Sequence, residues 1–155
     1  MEIINTGYEA LISGILATTL AQIIKFFVFT VSTRKINFKI LTTTGGMPSS
    51  HSAGVISLST TVGLINGFDS TIFAVALGFA FVVMYDATGI RRAAGKTAAC
   101  LNKIMEDFYK HNIQTLGGKL KELLGHTPLE VIIGGIFGAL FAYGFHLYLL
   151  GKTIA

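Results

Sequence analysis

The chain has 155 residues, enough for one domain and short for two. Apolar residues make up 52% and charged residues only 13%, against about 25% charged in soluble domains, and a mean hydropathy of +0.65 excludes an ordinary soluble enzyme. A net charge of +4 on such a chain reflects orientation and contact with anionic lipid, not nucleic-acid binding, and the single cysteine excludes an internal disulfide framework.

Glu2 and Glu9 precede the first apolar run, where a cleavable leader would carry basic residues, so that run is expected to remain in the mature chain. The run, Leu11–Val31, is long enough to span a bilayer and is interrupted by Gln22 and Lys25. Lys25 lies in its last third, where it can snorkel to the interface or reach a site there. A basic connection with Arg34, Lys35 and Lys39 follows, then Gly45-Gly46-Met47-Pro48-Ser49-Ser50-His51. The second span, Ser52–Phe68, is rich in Ser, Thr and Gly; the third, Ser70–Tyr85, carries no charge. Both are short and pair as a hairpin turning at Asn66-Gly67-Phe68-Asp69.

From Asp86 to Glu130 the composition turns polar. Thr97–Tyr109 sets Ala98, Leu101, Met105 and Phe108 on one helical face, as in an amphipathic helix lying on the membrane or packed on the bundle. Cys100 within it is expected as a small apolar residue on a packed face. His111 reads as solvated, Gly117-Gly118 as a break, and Lys119–Leu124 as a further short helix. The fourth span, Val131–Leu150, holds Gly134 and Gly138, a spacing that allows close helix packing within one chain or between two, and His146, expected to be buried and hydrogen-bonded. The predicted fold is thus an all-α membrane bundle of four spans, a single domain with a cytoplasmic segment over 86–130 and thin enough for a homodimer.

Ten of the 12 basic residues fall in the two connections before the second span and after the third. The positive-inside rule turns both toward the cytoplasm and both termini outward, in a membrane such as a bacterial inner membrane. Three segments remote in sequence then reach one surface: Pro48–His51, Asp86 with Arg91 and Arg92, and His126–Glu130. Two helix N-termini there offer free N–H groups and positive dipole ends to an anion. Each has a histidine beside it, and two arginines add forked donors suited to phosphate oxygens. That set suits phosphoryl transfer: one imidazole attacks phosphorus, the other protonates the leaving oxygen, and cations hold the rest.

Plainer readings stand beside each of these. Ser49 or Ser50 serves as an N-cap, and Thr127-Pro128-Leu129-Glu130 fits a capping box. Arg91 and Arg92 serve topology, and Asp86 pairs with one of them or joins Glu130 at a metal.

Pro48-Ser49-Ser50-His51 resembles the Pro-Ser-Gly-His element of the type-2 phosphatidic acid phosphatase superfamily, which includes vanadium haloperoxidases. His126-Thr127-Pro128-Leu129-Glu130 is similar to its His–x3–Asp element, and Arg91 or Arg92 to its arginine. From Leu11 to the end, the string through Gly-Gly-Met-Pro-Ser-Ser-His-Ser-Ala and Met-Tyr-Asp-Ala-Thr-Gly-Ile-Arg-Arg resembles a divergent branch of small membrane proteins in that superfamily. The resemblance implies His126 as nucleophile, Glu130 orienting it and His51 as general acid. It implies phosphate ligands among Arg91, Arg92, Ser49, Ser50, Lys25, Arg34, Lys35 and Lys39, with Asp86 in support. It implies no metal or cofactor, a site that phosphate or vanadate occupies, and lipid or prenyl phosphates as substrates. The spacing differs from the pattern: 33 residues separate Arg92 from His126, and Ser50 stands for glycine. A non-catalytic protein binding anionic headgroups or a partner through the same basic face is the alternative; a small transporter is a third.

Overall fold

The computed structural model describes residues 3–42, 45–109 and 125–154, without the side chains of Thr42, Arg91, Arg92, 106–109 and Ile154. Among the described residues five α-helices occur in this order: α1 Gly7–Thr33, α2 Ser50–Asn66, α3 Thr71–Thr88, α4 Ile90–Tyr109 and α5 Pro128–Ile154. Among the described residues there is no strand, as the apolar runs predict. Three helical stretches are long and apolar enough to cross a membrane, over Gly7–Thr33, Thr71–Met105 and Pro128–Thr153. The second predicted span, α2, has 17 residues and mean hydrophobic character diluted by its serines and threonines. It sits between α1, α3 and α5 and touches all three.

Small residues allow this central position. Gly134 of α5 lies against the Ser49 backbone, and a Cβ at Gly138 would strike the carbonyl of Ala53. On the other side Gly14 of α1 meets α2, with its Cβ position 3.1 Å from the Gly54 carbonyl oxygen. The Gly134–Gly138 pair therefore works within the chain. The hairpin turns where expected: α2 ends at Asn66, Gly67 takes φ 91°, and the Ser70 hydroxyl accepts the Phe73 N–H to cap α3.

In lipid, buried polar groups must find partners inside the protein. Ser49, Ser50, Ser52, Ser57, Ser59 and Thr61 of α2 are all buried. The Ser13 and Ser57 hydroxyls bond at 2.8 Å, and Thr61 lies 3.0 Å from Ser13 and 2.9 Å from the Ser57 carbonyl. One turn along α1, Glu9 is 0% exposed; its carboxylate lies 2.6 Å from His146 Nδ1 and accepts the Asn5 N–H. His146 is thus buried and hydrogen-bonded as predicted, by a partner 137 residues away.

These residues belong to two matching stripes. Glu9, Ser13, Ala17, Ala21 and Lys25 recur every four residues on α1 and are all buried. Glu130, Gly134, Gly138, Ala142 and His146 recur every four on α5. The helices run antiparallel, so Glu9 meets His146 at one end and Lys25 comes within Coulombic reach of Glu130 at the other. Each stripe spans 16 residues, about 24 Å at 1.5 Å per residue. Between the ends both stripes turn to α2: Ser13 bonds Ser57, and Gly134 and Gly138 lie against the Ser49 and Ala53 backbones. The Glu9–His146 pair fixes one end of this register, since a slip of one turn, about 5.4 Å, would break it.

After α1, Arg34 takes the left-handed conformation at φ 53° and the chain folds back. The Gln22 amide donates to the carbonyls of Ile40 and Leu41, and Phe26 stacks on Phe38 with centroids 5.5 Å apart. Just before α2, Gly46 lies against the Lys25 side chain.

The amphipathic helix starts earlier than its periodicity suggests. α4 begins at Ile90, directly after Gly89 caps α3, and among the described elements it touches α3 alone. Cys100 is exposed there rather than packed, because no described element covers that side of α4. The predicted helix Lys119–Leu124, with Gly117-Gly118 and His111, lies outside the described residues.

Candidate functional site

The starts of α2 and α5 and the end of α3 meet at the end of the bundle away from both chain termini. Two backbone bonds join them: the Ser49 N–H donates to the Glu130 carbonyl at 3.1 Å, and the His126 N–H donates to the Ala87 carbonyl at 3.1 Å. The three predicted segments are therefore one structural unit, stitched through main chain.

At this junction His126 is 3% exposed, and its Nδ1 lies 3.0 Å from Glu130 Oε2. A carboxylate can only accept, so Nδ1 carries the proton and Nε2 keeps the ring's lone pair. The same Oε2 accepts the Thr127 N–H at 3.2 Å, while the Thr127 hydroxyl accepts the Glu130 N–H at 3.3 Å. The capping box and the histidine-orienting contact thus coexist on one carboxylate. The cap holds the carboxylate at a fixed place on the first turn of α5, and the imidazole is fixed in turn.

Lys25 brings a cation into this junction. It is 3% exposed, and a Cβ at Gly46 would sit 3.3 Å from its Cδ. Gly46 has φ +87°, so glycine is needed there both for the turn and for the passage of the lysine stem. Ser49 caps α2: its hydroxyl lies 3.4 Å from the Ser52 N–H and 2.9 Å from the Ser52 hydroxyl. Ser50 is buried beside it in the first turn.

His51 takes a different place. It is exposed on α2 and lines a groove between α1 and α2 with Thr18, Gly54 and Leu58. Ser49 and Ala53 mark the line of α2 that faces α5. At about 100° per residue His51 lies roughly 160° around the helix from that line. His51 therefore points to the α1 side of α2, away from the face that α5 covers.

Arg34, Lys35 and Lys39 are exposed on the returning segment beyond Lys25. Asp86 is half-buried in the last turn of α3, one residue before the carbonyl that holds His126. The backbones of Arg91 and Arg92 open α4 next to Gly89, and their side chains lie outside the described set. Among the described residues no three of His, Cys, Asp and Glu gather as metal ligands. Sequence reasoning missed Glu9, read above only as an acid ahead of the first span. Its signal was its four-residue spacing from Ser13 on an apolar helix.

A family model described as the "Divergent PAP2 family" matches residues 7–141. The chain is also 46% identical over 140 residues to "Uncharacterized membrane protein YuiD" of Bacillus subtilis, an alignment covering 84% of this chain and 89% of that protein. No solved structure matches.

Proposed function

Because the chain belongs to the divergent PAP2 family, we propose that it is a membrane phosphatase that hydrolyses a lipid or prenyl phosphate, metal-independently, at the cytoplasmic face. The observation that carries this reading is the buried His126, held at Nδ1 by Glu130 in a junction that also receives Lys25. An imidazole oriented by a carboxylate is an activated nucleophile, and a buried cation beside it favours a phosphate dianion. In the proposed reaction the Nε2 lone pair of His126 attacks phosphorus and the bond from phosphorus to the leaving oxygen breaks. His51 gives its proton to that oxygen, releasing the lipid alcohol. Glu130 stabilises the imidazole proton at Nδ1. Water then attacks phosphorus, with His51 taking its proton, and the bond from phosphorus to His126 Nε2 breaks, releasing phosphate and the free imidazole. Attacking and leaving atoms lie in line across phosphorus in such transfers. A phosphate seated over the first turn of α2 would take Ser50, Arg91 or Arg92, and the outer cations Arg34, Lys35 and Lys39 as further ligands, with Asp86 in support.

The test is phosphate release by the purified protein in detergent from phosphatidic acid, phosphatidylglycerol phosphate and prenyl diphosphates. Activity is expected on at least one of them, falling at least 100-fold in His126→Ala and about tenfold to 100-fold in Glu130→Gln. Equal background release by wild type and His126→Ala on every substrate would rule the enzyme out. A second reading, a non-catalytic protein that binds anionic headgroups, draws on Glu130 being shared between helix cap, histidine and lysine. It predicts vanadate or phosphate binding without turnover.

A further inference from the structure

Between Ala10 and Phe68 the sequence holds Lys25, Arg34, Lys35 and Lys39 and not one acid. Lys25 is buried; the other three are exposed on the segment that follows α1. Apolar side chains alternate with them: Val31, Ile36, Phe38 and Leu41 are exposed as well, Ile36 and Phe38 at 70% each. Both kinds of side chain on one short segment suit the boundary between hydrocarbon and headgroups, where apolar groups sink and basic ones reach phosphate. The path of the segment agrees. Arg34 stands nine residues past Lys25, about 13 Å along the α1 axis, where the apolar stretch of α1 ends. The chain then descends along α1: Phe38 stacks on Phe26, and the carbonyls of Ile40 and Leu41 accept the amide of Gln22. Irregular backbone next to lipid needs its polar groups satisfied by protein. Asn37 supplies two acceptors: its side-chain oxygen lies 3.1 Å from the Lys39 N–H, and its carbonyl lies 3.2 Å from the Ile40 N–H. The Thr33 hydroxyl lies 3.4 Å from the Lys35 N–H.

We propose that residues 34–41 form an interfacial anchor that binds the phosphate headgroups of anionic phospholipids in the surrounding bilayer, in the leaflet on the site's side. Arg34, Lys35 and Lys39 hold the phosphates, and Ile36 and Phe38 enter the acyl boundary. The bonds from Gln22, Asn37 and Thr33 keep the backbone satisfied at that depth. Anionic lipid is favoured over zwitterionic lipid because three cations stand close together and each draws a negative surface toward the chain. The lone acid of α1 and α2, Glu9, is about 37 Å from Arg34 along the α1 axis and offsets none of this charge. The contact is with bulk lipid, so it exists without substrate and stands apart from the phosphatase reading. A substrate phosphate that draws on these cations competes with the bilayer for them.

The test is native mass spectrometry of the intact protein in detergent, titrated with phosphatidylglycerol or phosphatidylcholine. Phosphatidylglycerol is expected to bind about tenfold more tightly or better. The combined variant Arg34→Gln, Lys35→Gln, Lys39→Gln is expected to lose that preference while still binding phosphatidylcholine as wild type does. The like-charged variant Arg34→Lys, Lys35→Arg, Lys39→Arg is expected to keep it. A preference that survives the triple glutamine change, or that falls equally with Lys96→Gln and Lys103→Gln on α4, overturns the anchor. So does a vanadate affinity that falls in the triple variant while the lipid preference holds, since the cations then belong to the phosphate site. Depth is read separately, from a nitroxide at Ile36→Cys in a Cys100→Ser background in nanodiscs. It is expected to be open to oxygen and shielded from an aqueous nickel chelate. Chelate access equal to that of a nitroxide at Lys103→Cys puts the segment in water and overturns the proposal.

Discussion

The two ends of the α1–α5 seam use the same chemistry for different ends. At the end near the chain termini, Glu9 and His146 form a closed pair: the carboxylate is 0% exposed and no charged partner beyond the imidazole is needed. At the other end Glu130 is 20% exposed in its side chain and is shared between His126 and its own helix cap, with Lys25 within Coulombic reach. A closed pair resists change. A shared carboxylate beside an edge leaves its donors able to turn to another acceptor. The difference shows how one interface can supply both a register lock and a site, with the spacing between them set by helix pitch.

Four substitutions break or sharpen this contrast. Gly138→Leu should have the largest effect, because its Cβ alone meets the Ala53 backbone. It separates α2 from α5 and disables both ends, with a loss of about 3 kcal/mol or more; aggregation and a lost melting transition in detergent would report it, and wild-type melting would refute the tight crossing. Glu9→Ala leaves a buried imidazole unpaired and should cost about 1–3 kcal/mol. Vanadate affinity at the far end should weaken with it, since Lys25 loses its axial reference. Retained affinity would show that the lock and the site are independent. Ser49→Ala removes the α2 cap for about 1 kcal/mol and should act on the site end alone. Ser13→Ala should have the smallest effect, about 0.6 kcal/mol, the average for a polar contact inside a membrane bundle. Each value is read from thermal melts in one detergent.

Much of this plan could be read from the chain because lipid leaves few alternatives. Long apolar runs must be helices, and Asn66–Asp69 could only be a turn between two of them. The capping box at Thr127–Glu130 was visible because its residues are neighbours. What escaped were relations between distant segments. Nothing local joins Glu9 to His146, and nothing local says that His51 turns to the α1 side of α2 while Ser49 turns to α5. That angle depends on which helices flank α2, which the sequence does not state. The short, serine-rich α2 also reads as a weak span. Its polarity makes sense only once it is surrounded, since its hydroxyls bond to α1 and to its own carbonyls.

The equal 16-residue stripes carry a consequence for how such a chain can change length. An insertion of one residue between Glu9 and Lys25 would turn the rest of α1 by about 100° and shift it by about 1.5 Å. Either the lock or the site would then lose its partner, and no adjustment in the connecting segments could restore both. A compensating insertion would have to fall between Glu130 and His146, more than a hundred residues later. The two outer helices of this bundle therefore inherit their lengths together, as if they were one coding unit interrupted by loops.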